Sequence, residues 1–191
     1  MTANYEFALI GETEATDSTS YSIQLNFTYA DFAEYFITAK LRSFTNTVDD
    51  HAIVTGMVLN NGTIPTINAM YAGGYYGGQP TGQGTGSGTW FGGTSNSAFQ
   101  PFRISDNNSA YGTGRWSICH WQIASQPNNG GYWPWVGQCM VPQTDGRIGV
   151  WGAVQAGNHT YSSNHGGLYI KSDSYPFVAG SKLTVWGHGH V

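Results

Sequence analysis

Residues 21–27 read Tyr21-Ser22-Ile23-Gln24-Leu25-Asn26-Phe27. Apolar and polar side chains alternate throughout, so Tyr21, Ile23, Leu25 and Phe27 fall on one face and the polar residues on the other. A period of two marks a half-buried antiparallel strand. Working outward, residues 35–42 repeat it: Tyr35, Ile37, Ala39 and Leu41 alternate with Phe36, Thr38, Lys40 and Arg42. The connection between these strands centres on Asp31. Further strands are expected at 51–59, 64–71, 100–104, 115–123, 136–141, 147–154, 167–171 and 182–187. Turn residues separate them, among them Asn60-Asn61-Gly62, Thr144-Asp145-Gly146 and Ser163-Asn164-His165-Gly166-Gly167. No segment sustains a 3.6-residue apolar period. The expected fold is all-β: an antiparallel β-sandwich, jelly-roll-like, over a single domain 1–191.

Two stretches interrupt the pattern. Residues 72–98 hold Gly73-Gly74-Tyr75-Tyr76-Gly77-Gly78, then alternating glycines to Gly88, then Trp90-Phe91-Gly92-Gly93. They read as a long Gly-rich loop, which is uncommon inside a domain and costly to order. Tyr75, Tyr76, Trp90 and Phe91 give such a loop contact area for a partner or ligand, or for folding back on the sandwich. Residues 126–135 form a second loop, in which Tyr132, Trp133 and Trp135 flank Pro134. These rings are either a sugar-stacking platform or a plug at the end of the core.

Only 9% of residues are Asp, Glu, Lys or Arg, against about 25% in an ordinary soluble domain. Little charge keeps copies apart, which suits lasting contact with other copies, other proteins or a glycan; equally, the surface of a neutral β-protein uses Ser, Thr, Asn and Gln in place of charge. The net charge is -4 and no basic run exists, so nucleic acid is not an expected partner. No apolar run reaches a membrane-spanning length of about 18 residues. The N-terminus lacks a basic start followed by an apolar stretch, so export by a Sec-type signal is not expected. The sequons at Asn26, Asn61, Asn107 and Asn158 then read as chance. Cys119 and Cys139 are the only cysteines. They are expected as two buried reduced thiols, the alternative being a disulfide between adjacent strands.

The chemical motifs of common enzymes are missing: no GxSxG, no P-loop and no HExxH. A glycosidase needs two carboxylates close together. Of the 11 acidic residues, Glu12, Glu14 and Asp17 read as a polar turn, and the others also fall outside core-facing strand positions. No catalytic residue and no cofactor are expected. His188 and His190 are weak metal candidates: on a strand they share a face, and three copies could surround an ion. The plainer reading is two exposed histidines. Arg42 pairs with a carboxylate such as Asp31, or is solvated.

The stretch from Ile23 to Phe27, with Thr28-Tyr29-Ala30-Asp31-Phe32 and the strand Tyr35 to Leu41-Arg42-Ser43 behind it, is the first of two recognisable pieces. The second is Phe177-Val178-Ala179-Gly180-Ser181-Lys182-Leu183-Thr184-Val185-Trp186-Gly187. In residue type, spacing and order they resemble a widespread group of small phage structural proteins. Residues 44–174 match no pattern of that group. The resemblance implies a β-sandwich virion component without catalytic residues: a head decoration protein, a head fibre or a tail-fibre tip. It implies self-association, as a homotrimer, and contact with the major capsid protein or other virion proteins. The chain would be made in the host cytoplasm and reside in the virion. The short lead into the first clear strand favours capsid decoration. The alternative is a receptor-binding or carbohydrate-binding tip that holds host-surface glycan. A polysaccharide-acting enzyme is the least favoured reading.

Overall fold

The computed structural model describes residues 7–27, 32–42, 50–59, 68–78, 87–95, 99–105, 116–124, 132–142, 148–158, 165–172 and 175–190, and the side chains of 7–27, 32–42, 116–124, 136–140, 166–172 and 175–189. These residues contain twelve strands: β1 (Phe7–Glu14), β2 (Ser22–Asn26), β3 (Phe32–Leu41), β4 (Asp50–Leu59), β5 (Asn68–Gly78), β6 (Ser87–Ser95), β7 (Phe99–Ser105), β8 (Ser117–Ala124), β9 (Tyr132–Pro142), β10 (Ile148–Asn158), β11 (His165–Ser172) and β12 (Lys182–His190). They form an eight-stranded sheet of order β1-β12-β3-β8-β9-β10-β5-β6 and a four-stranded sheet of order β2-β11-β4-β7. The described strand pairs are antiparallel.

Setting β5, β6, β9 and β10 aside exposes the plan. Of the remaining strands, the first pairs with the last (β1 with β12) and the second with the last but one (β2 with β11). Then β3 pairs with β8, and β4 with β7. This is one long hairpin rolled up, with successive strand pairs alternating between two sheets. That is the jelly roll the alternating pattern predicts. The β9–β10 and β5–β6 hairpins are insertions that widen one sheet beyond β8.

The core lies between the sheets and follows the register rows. Leu183, Ala39, Cys119 and Cys139 stand side by side on β12, β3, β8 and β9, followed by the row Val185, Ile37 and Trp121. All are buried, as are Tyr35 and Ile123 in the next row. Ile23, Leu168 and Ile170 close the core from the four-stranded sheet, and Phe177 from the connection before β12. Each Leu, Ile, Val or Phe among them contributes about 1.5–3 kcal/mol by leaving water.

The two motif stretches meet physically. β3 pairs with β12, and Tyr35 stands opposite Gly187. A Cβ on Gly187 would lie 2.4–2.6 Å from Cγ, Cδ2 and Cδ1 of Phe32. The bare glycine backbone is therefore the seat of the Phe32 ring, which also meets Tyr35 edge-on at 6.1 Å. Ser181, fully buried, ties the same region together. Its hydroxyl accepts a hydrogen bond from the Arg42 amide at 3.2 Å and donates to the Arg42 carbonyl at 3.1 Å. Ala15 N–H donates to the Ser181 carbonyl, and Gly180 N–H to the Ala15 carbonyl, both at 2.8 Å. One short segment thus binds the ends of β1 and β3 to the start of β12.

The structure departs from the sequence reading in the glycine-rich regions. Within 72–98, residues 72–78 complete β5 and 87–95 form β6, so the expected loop is mainly a hairpin; 79–86 and 96–98 lie outside the described residues. The reason is in the register. Phe91 stands opposite Gly73, Trp90 opposite Gly74, Tyr76 opposite Gly88 and Tyr71 opposite Gly93. These four aromatics each stand opposite a glycine, whereas Tyr75 stands opposite Thr89. Tyr132, Trp133 and Trp135, expected in a loop, belong to β9, where Trp133 pairs with Gly157. Glu12 and Glu14, expected in a turn, lie on β1, whose period is broken by a bulge between Leu9 and Gly11. Asp17 does sit in the following bend. Its carboxylate accepts hydrogen bonds from the Thr19 hydroxyl at 2.7 Å and amide at 2.9 Å, which hold it below its ordinary pKa.

Candidate interaction surface

One face of the eight-stranded sheet packs on the second sheet. Residues of the other phase point away from that core. Reading across β1, β12, β3, β8 and β9, one outward row is Glu14, Lys182, Lys40, Ile118 and Met140. The next is Glu12, Thr184, Thr38, His120 and Gln138. A third is Leu9, Trp186, Phe36, Gln122 and Val136. The sequence makes both phases of several strands apolar, so this outward face carries hydrophobic side chains as well. Phe7, Leu9, Ile118, Val136 and Met140 are 56%, 52%, 49%, 50% and 44% exposed. Single exposed apolar residues are ordinary; here five of them stand on one sheet face.

Polar pairs are laid into this face. Lys182 Nζ is 2.6 Å from Glu12 Oε2. The Gln138 amide donates to His120 Nε2 at 2.6 Å, across directly paired positions. Lys40 Nζ lies 4.6 Å and Arg42 Cζ 4.7 Å from the Trp116 ring centre, so one indole receives two cations. Arg42 thus stacks on an aromatic ring; the carboxylate suggested by the sequence, Asp31, lies outside the described residues. A shallow depression of about 220 Å³ is lined by Thr38, Ala39, Lys40, Ile118, Lys182 and Thr184. The face thus combines apolar area with a few fixed polar groups.

Of the metal candidates, His188 Nδ1 is 3.4 Å from Glu34 Oε2, and its ring stacks on Phe7 at 4.7 Å. Gly189, between His188 and His190, has φ 66°, and the two histidines stand opposite Glu34 and Phe32 of β3. The His190 side chain is outside the described residues. Among the described residues, no three His, Cys, Asp or Glu side chains gather as a metal site. Cys119 and Cys139 stand directly opposite on β8 and β9, buried and not joined by a disulfide. Burial first, and then the neighbouring Cys139, push the Cys119 thiol well above its ordinary pKa.

For the aromatics singled out in the sequence, the structure gives backbone placement. Tyr75 is in the row of Cys119 and Cys139, and Phe91 in the row of Ile37 and Trp121. Trp135 pairs with Ile123. Tyr76 falls instead in the row of Ile118 and Met140, and Trp90 in that of His120 and Gln138. These residues therefore split between the two phases of one sheet. Sequence reasoning missed Phe7, Leu9, Ile118, Val136 and Met140. Their signal was the apolar residue in the nominally polar phase of each strand.

No family model matches the chain, and no curated protein matches it. Among solved structures, the comparison lists the structure of infectious bursal disease virus Gx strain, at 12% identity and a TM-score of 0.11. The match covers 97% of this chain and 40% of that one, so this chain spans well under half the length of the structure it matches. A likeness at this level carries no argument about fold or function.

Proposed function

We propose that this chain is a non-enzymatic virion structural protein of the capsid-decoration type, which self-associates and docks through the outward face of its eight-stranded sheet. One observation carries the reading. Phe7, Leu9, Ile118, Val136 and Met140 stand about half-exposed on that face, in a chain with only 9% charged residues. Contact with a protein shell removes such area from water at about 25 cal/mol per Å² of apolar surface. The viral assignment comes from the two terminal motifs, which pack together as Phe32 on Gly187 and Ser181 on Arg42. Jelly rolls also occur in capsid and lectin domains, an analogy of fold alone.

The test is to incubate the purified chain with phage particles from which decoration proteins have been stripped, and then to sediment and image them. Binding at regular positions on the shell supports the reading. A chain that stays in the supernatant, or that binds only tail tips or a glycan array, replaces it with receptor or carbohydrate binding.

A further inference from the structure

We infer that the outer edge of β6, which pairs with no other described strand, is a self-pairing edge, at which a second copy of this chain adds its own β6 across a two-fold axis. Unpaired N–H and C=O groups on an edge strand are a template for another strand, and proteins ordinarily blunt such edges. The two sheets end in β1, β6, β2 and β7. β1 carries a bulge and the charges of Glu12 and Glu14. β2 has only five residues. β7 contains Pro101 and Arg103, and its pairing with β4 is irregular between Ile53 and Thr55. β6 has none of these devices. It runs nine residues, Ser-Gly-Thr-Trp-Phe-Gly-Gly-Thr-Ser, in unbroken register with β5, and the described strands place nothing on its other side.

The sequence suits a like copy as the occupant. No Asp, Glu, Lys, Arg or His stands between His51 and Arg103. Two copies therefore meet along β6 without like charges opposite one another, and the edge holds nothing that would select a charged partner. The strand is also complementary to itself. In the antiparallel register that overlaps all of Ser87–Ser95, Phe91 is on the axis, Trp90 faces Gly92 of the second copy and Thr89 faces Gly93. That repeats the aromatic-on-glycine pairing already present between β5 and β6. A ring of three needs a heterologous contact, and the other edges are blunted. This edge therefore makes pairs, whether or not the chain is a virion component.

The test places like charges at positions that face each other in this register. One variant combines Gly88→Lys with Thr94→Lys, and the other combines Gly88→Glu with Thr94→Glu. Sedimentation velocity measures mass against concentration, and far-UV circular dichroism checks folding. The wild type is expected as a two-chain species. Each variant alone should dissociate about tenfold more readily, since like charges opposed across strands are unfavourable, and an equimolar mixture should restore the pair. A wild type that remains a single chain overturns the inference. So does a dimer that both folded variants retain. If both variants lose their fold, exchange protection of the β6 amides in the wild type decides: protection that rises with concentration supports the edge, and protection independent of it refutes the edge.

Discussion

Replacing Gly187 by Ala tests the packing that joins the two motif stretches. The added Cβ would sit 2.4–2.6 Å from three atoms at the base of the Phe32 ring, where ordinary contact begins at 3.4 Å. Clearing it requires a displacement of about 1 Å, the scale of overpacking that costs about 1–3 kcal/mol. The ring cannot swing aside cheaply, because the clash is near its attachment and Tyr35 stands beside it. For a chain of this size each kcal/mol moves Tm by about 2–4 °C, so the variant should melt roughly 2–12 °C lower. Thermal unfolding followed by circular dichroism measures this. The cause is isolated by a double-mutant cycle with Phe32→Ala. That change is destabilising by itself, but in its background Gly187→Ala should cost less than about 0.5 kcal/mol. An unchanged Tm for Gly187→Ala, or an equal loss in both backgrounds, would refute the argument.

Three further outcomes are expected. Ser181→Ala leaves the Arg42 amide without its acceptor, while the Arg42 carbonyl keeps the Val178 amide; chemical denaturation should show a loss of about 1–3 kcal/mol. Cys119 and Cys139 should resist thiol-specific labelling at neutral pH in the folded chain and react once denaturant is added. Because the Cys119 pKa is raised in the folded state, its contribution to stability is complete below the unfolded thiol pKa of about 8.5 and is lost as pH rises beyond it. Denaturant midpoints should therefore fall on going alkaline, and Cys119→Ala should flatten that part of the profile.

The jelly-roll frame was legible because β2 alternates cleanly and β3 nearly so. The expected 35–42, 51–59, 115–123 and 182–187 each fall on or overlap β3, β4, β8 and β12. The inserted hairpin was not legible, for a physical reason. Gly73, Gly74, Gly88 and Gly93 lack the side chains by which a period of two is seen, and their partners Phe91, Trp90, Tyr76 and Tyr71 are known only from the register. β1 escaped because its bulge breaks the alternation and its acidic end reads as a turn. The outward face was hidden differently. Ile118 sits one residue from the buried Cys119, and Met140 from the buried Cys139, so the local pattern reads as continuous hydrophobicity.

The central claim is that the outward sheet face is the contact surface. It is tested most directly by co-sedimentation of stripped particles with the wild type and with a chain carrying both Leu9→Asp and Val136→Asp. These exposed positions lie in one outward row and take no part in the core, so each change should cost about 1 kcal/mol through lost strand propensity and cross-strand contact and leave the chain folded, which circular dichroism checks. The account predicts that the wild type sediments with the particles and that the folded variant stays in solution. Equal sedimentation of the two would contradict it.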